Sequence, residues 1–586
     1  MKKLVMFLSV ALTAASLLAQ ERKDANGIND TTVDNYRKTA DIGNKYARPV
    51  PGSSRKSKKS PVLFLIGDST MRNGTKGDGS NGQWGWGAFA GQWFDSTRIS
   101  VENHALGGTS TRTFYNRLWP DVLNGIQKGD YVLIQLGHND NGPLDTFTAR
   151  NCIKGTDPDT CVHVKLHDCR NPKDNGLEED VYSYGEYLRR FIREIKAKKA
   201  TPILCSLTPR NSWDDEKTIT RKRQIAGWEQ EIAAETGVAF VDLEEVSASR
   251  LEKFGPWKTD YMFFYVDKIH TSRFGAENNA YSFALALQQT DCPLKNYLID
   301  LTPATAEVKR QPGKPVVWLC GDSTCKNNDK DSTGMWGWGS QAYMVFDTTK
   351  CTFANEAKAG RSCRTYLREG RWDRVYNSLQ PGDIVFLQFG HNDTGNEIGK
   401  GKDRNEIATG LDSVHVFKHE TTGEYLTVYS FGWYLKKMIQ DVREKGATPI
   451  LLSLTPRNEW PKGRIERRND SYGKWYRQVV EATGVAFIDV HNISADKLDV
   501  IGQEGAKAYY NRDQTHTSLI GGQLNARSVH EGMRALGYYD ILVPECDILT
   551  KYKVWHDICY SKCGVPQRTS HIFLLFIHLK KNITVM

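Results

Sequence analysis

The sequence predicts two tandem α/β domains, each built on a doubly wound parallel sheet. Three observations lead to this prediction. The chain of 586 residues repeats itself once, short apolar runs alternate with helical patterns in each half, and polar motifs follow directly after the apolar runs. A chain of this length also exceeds what one hydrophobic core usually holds, so at least two domains are expected.

The internal repeat covers whole domains. Blocks of the first half return in the same order, at an offset that drifts only from 254 residues (Leu65 to Leu319) to 246 residues (His270 to His516). Solenoid repeats recur every ~20 to 50 residues, so this period indicates duplication of an entire domain. The matching blocks are Leu65–Thr70 and Leu319–Thr324, Trp84–Gly87 and Trp336–Gly339, Gly129–Asp140 and Gly382–Asp393, Ala200–Asn211 and Ala447–Asn458, and Thr236–Leu243 and Thr483–Val490.

The repeat sets the expected domain boundaries. We predict a first domain over residues 61–290, a linker over 291–314 and a second domain over 315–546. Residues 21–60 are polar and end in a Ser/Lys/Arg-rich stretch, which predicts a flexible leader. The tail over 547–586 has no counterpart in the first copy and no predicted role. Its apolar segment is too short for a stable membrane span.

The N-terminus predicts export. Lys2 and Lys3 precede the apolar stretch Leu4–Leu18 and the small residue Ala19, the pattern of a signal peptide over residues 1–20. A secreted or periplasmic protein is expected, with an uncleaved N-terminal anchor as the alternative. Of the net charge of +9, residues 1–20 carry +2, residues 21–60 carry +5 and residues 547–586 carry +4, which leaves −2 for the predicted domains. They offer no basic face for nucleic acid.

Several apolar runs predict buried strands. These runs are rich in Val, Ile and Leu and do not alternate with polar residues, which is typical of strands covered on both faces. Between two of them, apolar residues recur at helical spacing from Tyr187 to Ile195. In a sheet of this kind, functional groups gather in the loops beyond the carboxyl ends of the strands. The runs are Val62–Ile66, Tyr131–Leu136, Pro202–Leu207 and Val238–Val241.

Ser69 and Ser323 are candidate nucleophiles. Each lies in a Gly-Asp-Ser motif just past the first apolar run of its copy. A serine hydroxyl attacks at neutral pH only when a base removes its proton, and a strand-to-helix turn exposes the hydroxyl. A helix N-cap is the ordinary alternative for such a serine, and duplication copies caps too.

Asp267 and His270, with their counterparts Asp513 and His516, can supply that base. A spacing of three residues lets the carboxylate hold one imidazole nitrogen while the other nitrogen faces the hydroxyl. Many Asp-x-x-His pairs are surface loops. Here the Asp, the His and the following Thr-Ser persist while the surrounding sequence differs between the copies.

Two further motifs offer donors for an oxyanion. Gly108 and Gly360 present a backbone N–H in a loop, and Asn139 and Asn392 present a side-chain amide within Gly-His-Asn-Asp. An isolated Asn after a strand is usually a turn residue. Four motifs in one order, twice over, favour an active site.

In this order, the four motifs resemble the signature blocks of the SGNH (GDSL) hydrolases. The Gly-His-Asn-Asp, Thr-Pro-Arg-Asn and Tyr184-Gly-Glu-Tyr-Leu or Phe431-Gly-Trp-Tyr-Leu segments are similar to those of rhamnogalacturonan acetylesterases. The resemblance implies a three-layer α/β/α, flavodoxin-like fold and a secreted esterase that removes acetyl groups from pectic polysaccharide. It implies no metal and no organic cofactor. The expected partner is an acetylated plant cell-wall polysaccharide or oligosaccharide.

The resemblance also implies a role for each site residue. The nucleophiles would be Ser69 and Ser323, the general bases His270 and His516, and the residues that orient the bases Asp267 and Asp513. The oxyanion holes would combine the serine N–H groups with Gly108 and Asn139 in the first copy, and with Gly360 and Asn392 in the second.

Four other side chains are candidates for substrate contact. Arg112 and Arg364 could pair with a uronate carboxylate, and a structural salt bridge is the alternative. Trp84 and Trp336 could stack on sugar rings, although at least one Trp of each Trp-Gly-Trp-Gly motif is expected to pack under the catalytic loop.

The two copies are expected to differ near the substrate. The first copy has no arginine at the position that matches Arg361. The insertion Asn151–Val181 differs wholly from Thr394–Val428 and contains three cysteines that could staple it, whereas Cys320 is expected to be a core thiol. Identical specificity is therefore not expected.

Other functions remain open. A lipase or thioesterase of the same superfamily would be expected to have a wide apolar acyl channel, whereas these loops are rich in Gly, Asn, Asp and Lys. An esterase of another polysaccharide, such as xylan, would use the same motifs. The remaining alternative is a sugar-binding module in which a copy has lost catalysis, which the intact Ser, Asp and His of both copies disfavour.

Overall fold

A computed structural model describes residues 48–72, 79–80, 82–264, 267–326 and 333–544. The predicted signal peptide and C-terminal tail lie outside the described residues. The chain divides into two compact units. The first holds the described residues up to Pro303 together with Ile398–Asp403 and Val414–Val428, and the second holds the other described residues from Ala304 onward. Within the described residues, no helix is both long enough and apolar enough to cross a membrane.

The first domain is built on a five-stranded parallel sheet and a separate antiparallel hairpin. Its strands are β1 (Val62–Gly67), β2 (Ser100–Asn103), β3 (Tyr131–Gln135), β4 (Cys161–Lys165), β5 (Glu178–Tyr182), β6 (Thr201–Cys205) and β7 (Ala239–Val241). The sheet order is β2-β1-β3-β6-β7, and β4 pairs with β5. Its helices are α1 (Gly87–Ala90), α2 (Thr111–Arg117), α3 (Trp119–Gly125), α4 (Tyr184–Ala197), α5 (Arg223–Thr236), α6 (Leu243–Lys258) and α7 (Arg273–Gln288).

The second domain repeats this architecture. Its strands are β8 (Val316–Gly321), β9 (Thr352–Asn355), β10 (Ile384–Gln388), β11 (Val414–Lys418), β12 (Tyr425–Tyr429), β13 (Thr448–Leu452) and β14 (Ala486–Ile488), with β9-β8-β10-β13-β14 as the parallel sheet. Its helices are α8 (Cys363–Arg368), α9 (Arg371–Ser378), α10 (Phe431–Glu444), α11 (Tyr472–Thr483), α12 (Val490–Ala506) and α13 (Leu519–Ala535). Both sheets have the flavodoxin-like strand order.

The central strands carry apolar side chains on both faces because each face meets its own helical layer. In β1, Val62, Phe64 and Ile66 join the core beneath α2, α3, α4 and α5. Leu63 and Leu65 join the core beneath α1, α6 and α7. The predicted three-layer α/β/α fold with a parallel central sheet is confirmed.

Serine N-caps start the helices that frame the site. Ser110 begins α2 and Ser362 begins α8, each in a capping box with the threonine three residues later. Ser272 begins α7 and Ser518 begins α13, two residues after the histidines. The caps fix where each loop ends and each helix begins.

The expected flexible leader and the expected linker are both partly wrong. In the leader predicted over 21–60, Arg55 donates to the two carboxylate oxygens of Asp130 at 2.7 and 2.6 Å. In the linker predicted over 291–314, Arg310 bonds to Asp383 in the same way at 2.9 and 2.6 Å. Both aspartates also accept the N–H of the first strand residue, at 2.9 and 3.0 Å. Each domain therefore begins before its first strand, with a segment whose arginine binds a buried aspartate. The repeated sequence blocks start after these segments and did not predict them.

The described cysteines are all free thiols. Cys152, Cys161 and Cys169 do not staple the first insertion, which corrects that expectation. Cys152 lies against Asp140, with its Sγ 3.1 Å from a carboxylate oxygen, and Cys161 is exposed on β4. Cys320 is fully buried in β8.

Candidate active site

Ser69 and Ser323 each stand on the turn that follows the first strand of their domain. The preceding residues, Asp68 and Asp322, are buried. Oδ1 of Asp68 accepts the backbone N–H and the hydroxyl of Thr70 at 2.8 and 2.9 Å, which closes the turn. The serine side chain is left partly exposed at the carboxyl end of a central strand.

Each serine lies within hydrogen-bonding distance of a histidine from the far end of its domain. Nε2 of His270 is 2.9 Å from Oγ of Ser69, across 201 positions of sequence. In the second domain, Nε2 of His516 is 2.9 Å from Oγ of Ser323. Nδ1 of each histidine meets an aspartate, at 2.8 Å for Asp267 and 2.7 Å for Asp513. The structure brings all three predicted side chains together in both domains.

The aspartates hold the histidine loops as well as the rings. Oδ1 of Asp267 accepts the N–H groups of Ile269 and His270, both at 2.7 Å. Burial opposes ionisation of Asp267, but these hydrogen bonds outweigh it, and its pKa lies below the ordinary value. Asp513 behaves in the same way. Ionised carboxylates keep a proton on Nδ1, so Nε2 is free to accept the serine proton.

The Thr-Pro-Arg-Asn segments support the histidine loops. The N–H of Asn211 donates to the carbonyl of Lys268 at 2.8 Å, between Asp267 and His270. Asn458 makes the matching bond to Gln514 at 2.7 Å. The loop after the fourth strand of each sheet therefore positions the base.

The predicted glycine donors lie beside the serines. Gly108 and Gly360 have φ values of +80° and +78°, in the left-handed region that favours glycine. A methyl group on Gly107 would lie 3.6 Å from Cβ of Ser69, so this loop passes the nucleophile closely. Among the described residues, nothing accepts the N–H of Ser69 or of Gly108. Both amides can therefore meet a substrate oxygen.

The amides of Asn139 and Asn392 are held differently. Nδ2 of Asn139 donates to the carbonyl of Thr109 at 2.9 Å. Nδ2 of Asn392 lies 3.3 Å from the carbonyl of Arg361, and its Oδ1 accepts from Nη1 of Arg404 at 2.8 Å. A guanidinium cannot accept a hydrogen bond, so Arg404 fixes which end of the amide carries the donors.

Arg150 and Arg404 also reach the two sites, and neither was predicted from the sequence. The expectation that the insertions Asn151–Val181 and Thr394–Val428 differ wholly is wrong, because both contain an Asn-x-Ile pattern. An arginine precedes it in each copy, so that Arg150–Ile153 and Arg404–Ile407 share an Arg-Asn-x-Ile pattern. The two isoleucines bridge to the serines that begin α4 and α10. Nη1 of Arg150 lies 3.2 Å from the carbonyl oxygen of Gly108. The four-residue pattern was the available signal, inside segments that are otherwise unlike.

Arg112 and Arg364 are not placed to bind substrate, which corrects that expectation. Arg112 is fully buried, donates to the carbonyl of Asn151 at 2.9 Å and pairs with Glu179. Arg364 is also buried and donates to the carbonyl of Asn405 at 2.7 Å. Both guanidiniums donate to a backbone carbonyl of the Arg-Asn-x-Ile segment, and Arg112 also forms a salt bridge, which was the alternative.

The Trp-Gly-Trp-Gly segments pack beneath the serine turns. Trp84 and Trp86 are 2% and 0% exposed, so stacking of Trp84 on a sugar ring is excluded. Nε1 of Trp86 donates to Gln135 at 2.8 Å. Trp338 is fully buried, whereas Trp336 is only half-buried. Of the two stacking candidates, Trp336 alone keeps exposed surface.

The chain also matches a known family along most of both domains. The GDSL-like Lipase/Acylhydrolase family matches residues 65–277 and again residues 319–524. These two segments make up more than half of the chain. The chain belongs to this family.

Known proteins are similar to the chain over less than half of its length. A rhamnogalacturonan acetylesterase of Emericella nidulans is 29% identical over 210 residues, which is 36% of this chain and 81% of the relative. The probable rhamnogalacturonan acetylesterase YesY of Bacillus subtilis is 29% identical over 226 residues, 38% of this chain and 93% of the relative. The crystal structure of YxiM from Bacillus subtilis is 25% identical, with 39% of this chain and 57% of that chain covered and a TM-score of 0.30.

As a GDSL-like protein, the chain is a carboxylic ester hydrolase. Each domain presents a serine hydroxyl beside an imidazole nitrogen. Around the same point lie an amide and backbone N–H groups that no described residue accepts. Such an arrangement can form an acyl-serine intermediate and hydrolyse it.

One cluster of metal-type donor atoms lies next to the second GDSL-like site. Among the described residues, donor atoms of Cys363, Asp393 and Glu406 lie within 4.8 Å of one another. Both oxygens of Asp393 already accept backbone N–H groups, at 2.8 and 2.7 Å. Burial raises the pKa of Asp393 to about 7 and raises that of Glu406 as well. The donor set therefore suits shared protons better than a metal ion.

Proposed function

We propose that the protein is an exported carbohydrate acetylesterase that removes acetyl groups from rhamnogalacturonan at two independent sites. The observation that carries the proposal is the hydrogen-bonded series from Asp267 through His270 to Ser69, repeated in the second domain. The names of two relatives, each 29% identical, support the substrate class.

The proposed reaction begins when Oγ of Ser69 attacks the acetyl carbonyl and Nε2 of His270 takes the hydroxyl proton. The carbonyl oxygen becomes an oxyanion that accepts the N–H groups of Ser69 and Gly108 and the amide of Asn139. The C–O bond to the sugar then breaks, and His270 returns the proton to the sugar oxygen. A water molecule, deprotonated by His270, releases acetate by the reverse sequence. Asp267 stays ionised and stabilises the imidazolium in both halves.

The polar surroundings of the nucleophile favour a sugar ester over a long-chain lipid ester. Around the second serine lie the amide of Asn392 and the guanidinium of Arg404, which is 26% exposed. Arg361 is also partly exposed beside them. Such groups pair with hydroxyl and carboxylate oxygens, and a long acyl chain would cover their exposed part without offering it a hydrogen-bond acceptor.

Acetate release tests the substrate class. The purified protein is supplied with acetylated rhamnogalacturonan, acetylated xylan and a long-chain ester at equal ester concentration. The proposal expects kcat/KM on the first substrate to exceed that on the others by about tenfold or more. Equal rates on xylan, or preference for the long-chain ester, would overturn the substrate assignment. The double variant Ser69→Ala, Ser323→Ala serves as the control for release that does not involve the serines.

Export is a separate part of the proposal and rests on the pattern of residues 1–20. The mature protein should be recovered outside the cytoplasm, and its intact mass should correspond to loss of about 20 N-terminal residues. Recovery of chains that keep Met1, in the membrane fraction, would contradict this part and support an uncleaved anchor.

A further inference from the structure

The Arg-Asn-x-Ile segments reach both oxyanion holes, by different contacts. In the second domain, Nη1 of Arg404 donates to Oδ1 of Asn392 at 2.8 Å. In the first domain, Nη1 of Arg150 lies 3.2 Å from the carbonyl oxygen of Gly108. The two arginines therefore occupy matching positions in the sequence and both contact an oxyanion hole. They bind different groups there: Arg404 binds the side chain of Asn392, and Arg150 binds the backbone of Gly108.

We propose that Arg150 and Arg404 are positioning residues of the oxyanion holes, an inference that rests on the proposed function of the two serine sites. Arg150 holds the peptide that follows the Gly108 donor. Arg404 holds the side chain of the Asn392 donor. Neither arginine needs to contact the reacting atoms to act in this way.

In the second domain, the side chain of Asn392 is free to take two orientations unless a neighbour holds it. The terminal torsion of Asn is soft, and the amide can present either its oxygen or its NH₂ to the oxyanion. Only the NH₂ stabilises a negative charge, so an inverted amide would repel it. Arg404 binds Oδ1 and turns Nδ2 toward Asp322, the residue before Ser323, at 3.4 Å. The guanidinium thus selects the productive orientation.

Arg404 is itself held in place, as a positioning residue must be. Its Nε donates to Glu397 at 3.0 Å, and its carbonyl accepts from the hydroxyl of Ser362 at 2.6 Å. The next carbonyl, that of Asn405, accepts from the buried Arg364. Backbone and side chain are both fixed, which lowers the entropy lost when the donor set assembles.

The difference between the copies has a local cause. In the first domain, the hydroxyl of Thr109 donates to the carbonyls of Gly67 and Leu106 at 3.2 and 2.7 Å, which pins the glycine loop to the serine turn. The matching residue of the second domain is Arg361, whose side chain turns outward to Glu369. Arg361 does not make the hydrogen bonds that Thr109 makes in the first domain, and in the second domain Arg404 donates directly to Asn392 instead.

The experiment isolates the second site in a Ser69→Ala chain and follows hydrolysis of 4-nitrophenyl acetate, which carries no sugar. Arg404→Met should lower kcat by about 10- to 100-fold while KM changes less than about threefold. Arg404→Lys, which keeps one donor and the charge, should recover part of kcat. Because Arg404 acts through Asn392, adding Arg404→Met to Asn392→Ala should cost less than about threefold more. Arg371→Met, which removes a partly exposed charge paired with Glu369, is the matched control and should keep the parent kcat.

Melting temperatures separate positioning from a structural role. The inference is overturned if Arg404→Met leaves kcat unchanged. It is also overturned if the fold-loss in kcat of the Arg404→Met, Asn392→Ala double variant equals the product of the fold-losses of the two single variants. It is also overturned if kcat falls only in proportion to the fraction unfolded. The same design with Arg150→Met in a Ser323→Ala chain tests the first site. Failure of the proposed function looks different: the double serine variant would keep turnover, or the Ser69→Ala chain would lose all of it.

Discussion

Trp84 and Thr271 bond to each other twice. The N–H of Trp84 donates to the carbonyl of Thr271 at 3.0 Å, and the hydroxyl of Thr271 donates to the carbonyl of Trp84 at 2.8 Å. Trp336 and Thr517 repeat both bonds in the second domain, at 2.8 and 2.5 Å. Because each threonine directly follows the histidine, these bonds fix the base from its C-terminal side.

The same segment also binds the serine turn. The N–H of Trp86 donates to the carbonyl of Thr70 at 3.1 Å, and that of Gly87 donates to Met71 at 3.2 Å. The Trp-Gly-Trp-Gly segment therefore joins the loop of the base to the loop of the nucleophile. The distance between Ser69 and His270 is set by backbone hydrogen bonds and not by the two side chains alone.

Gly85→Ala should separate these loops. A Cβ at Gly85 would lie 2.2 Å from the carbonyl carbon of Met71 and 2.3 Å from the N of Arg72, so backbone must move. We expect a loss of about 1 to 3 kcal/mol of unfolding free energy and a lower kcat at the first site. Urea unfolding and ester turnover in a Ser323→Ala chain measure both effects.

Gly91→Ala is the matched control for that substitution. Its Cβ would meet only Val101 at 3.6 Å, and Gly91 has a right-handed φ of −60°. Stability should therefore stay the same or rise by about 0.4 to 1 kcal/mol. Equal effects of the two substitutions would show that the close approach at Gly85 does not link the loops.

The parts of this structure that the sequence predicted are those encoded by local patterns. Apolar runs without alternation predicted the central strands, and polar motifs at their ends predicted Ser69 and Asn139 on one edge of the sheet. The histidine and aspartate followed because three-residue spacing constrains their geometry wherever the loop lies. The duplication also helped to identify the site residues, since motifs that are identical in both copies stand out from the surrounding sequence, which differs between them.

The parts that were missed depend on partners far away along the chain. Arg112 was expected at the substrate because nothing local shows that it donates to the carbonyl of Asn151. The leader looked flexible because its composition is polar, yet one buried carboxylate, Asp130, holds Arg55. Arg404 was missed because the short Arg-Asn-x-Ile pattern does not show that its guanidinium reaches Oδ1 of Asn392. Contacts with backbone carbonyls or single buried charges leave little trace in composition or periodicity.

The two sites should turn over independently. Ser69→Ala and Ser323→Ala should each remove only the activity of one domain, so the rates of the two single variants should add up to that of the parent protein. The double variant should lose at least about a thousandfold, because no other hydroxyl of the described residues is hydrogen-bonded to Nε2 of His270 or His516. Initial rates on 4-nitrophenyl acetate check this. A single variant with no turnover at all would contradict independence.

Asp513→Asn should damage the second site without unfolding it. The amide would offer an N–H where Nδ1 of His516 needs an acceptor, and the histidine would take the wrong tautomer. In a Ser69→Ala chain, we expect kcat to fall by about 10³- to 10⁴-fold with little change in KM. Asp496→Asn, an exposed position of α12, is the control and should leave kcat unchanged.

The low pKa of Asp513 predicts how the effect of Asp513→Asn depends on pH. Hydrogen bonds from His516 and the backbone outweigh its burial, so its pKa lies below the ordinary value of 3.8. The carboxylate therefore stays ionised between about pH 5 and 9, and the parent-to-variant ratio of kcat should be constant over that range. A ratio that approaches one near pH 5 would mean that the aspartate is protonated there.

Glu406→Gln should make the second domain less sensitive to pH. Asp393 has a folded pKa of about 7 against an ordinary value of 3.8, and burial together with Asp393 raises that of Glu406. The folded domain therefore binds more protons than the unfolded chain, and the free energy of unfolding falls as pH rises from about 4 to 7. Asp322, the thiol of Cys363 and the cation of Arg364 also face this pair.

Glutamine keeps the size of the side chain and removes the charge that Glu406 would acquire beside Asp393. The gain in stability should therefore be larger at pH 8 than at pH 5, measured as the urea midpoint of the second domain by pulse proteolysis. Glu481→Gln, on the exposed face of α11, should shift the midpoint little at either pH. The first domain, in which Cys152 stands where the second has Glu406, is an internal reference, because its midpoint at a given pH should not respond to the Glu406→Gln substitution. If the midpoints of parent and Glu406→Gln fell in parallel from pH 5 to 8, the two carboxyls would not share the proton in the folded domain.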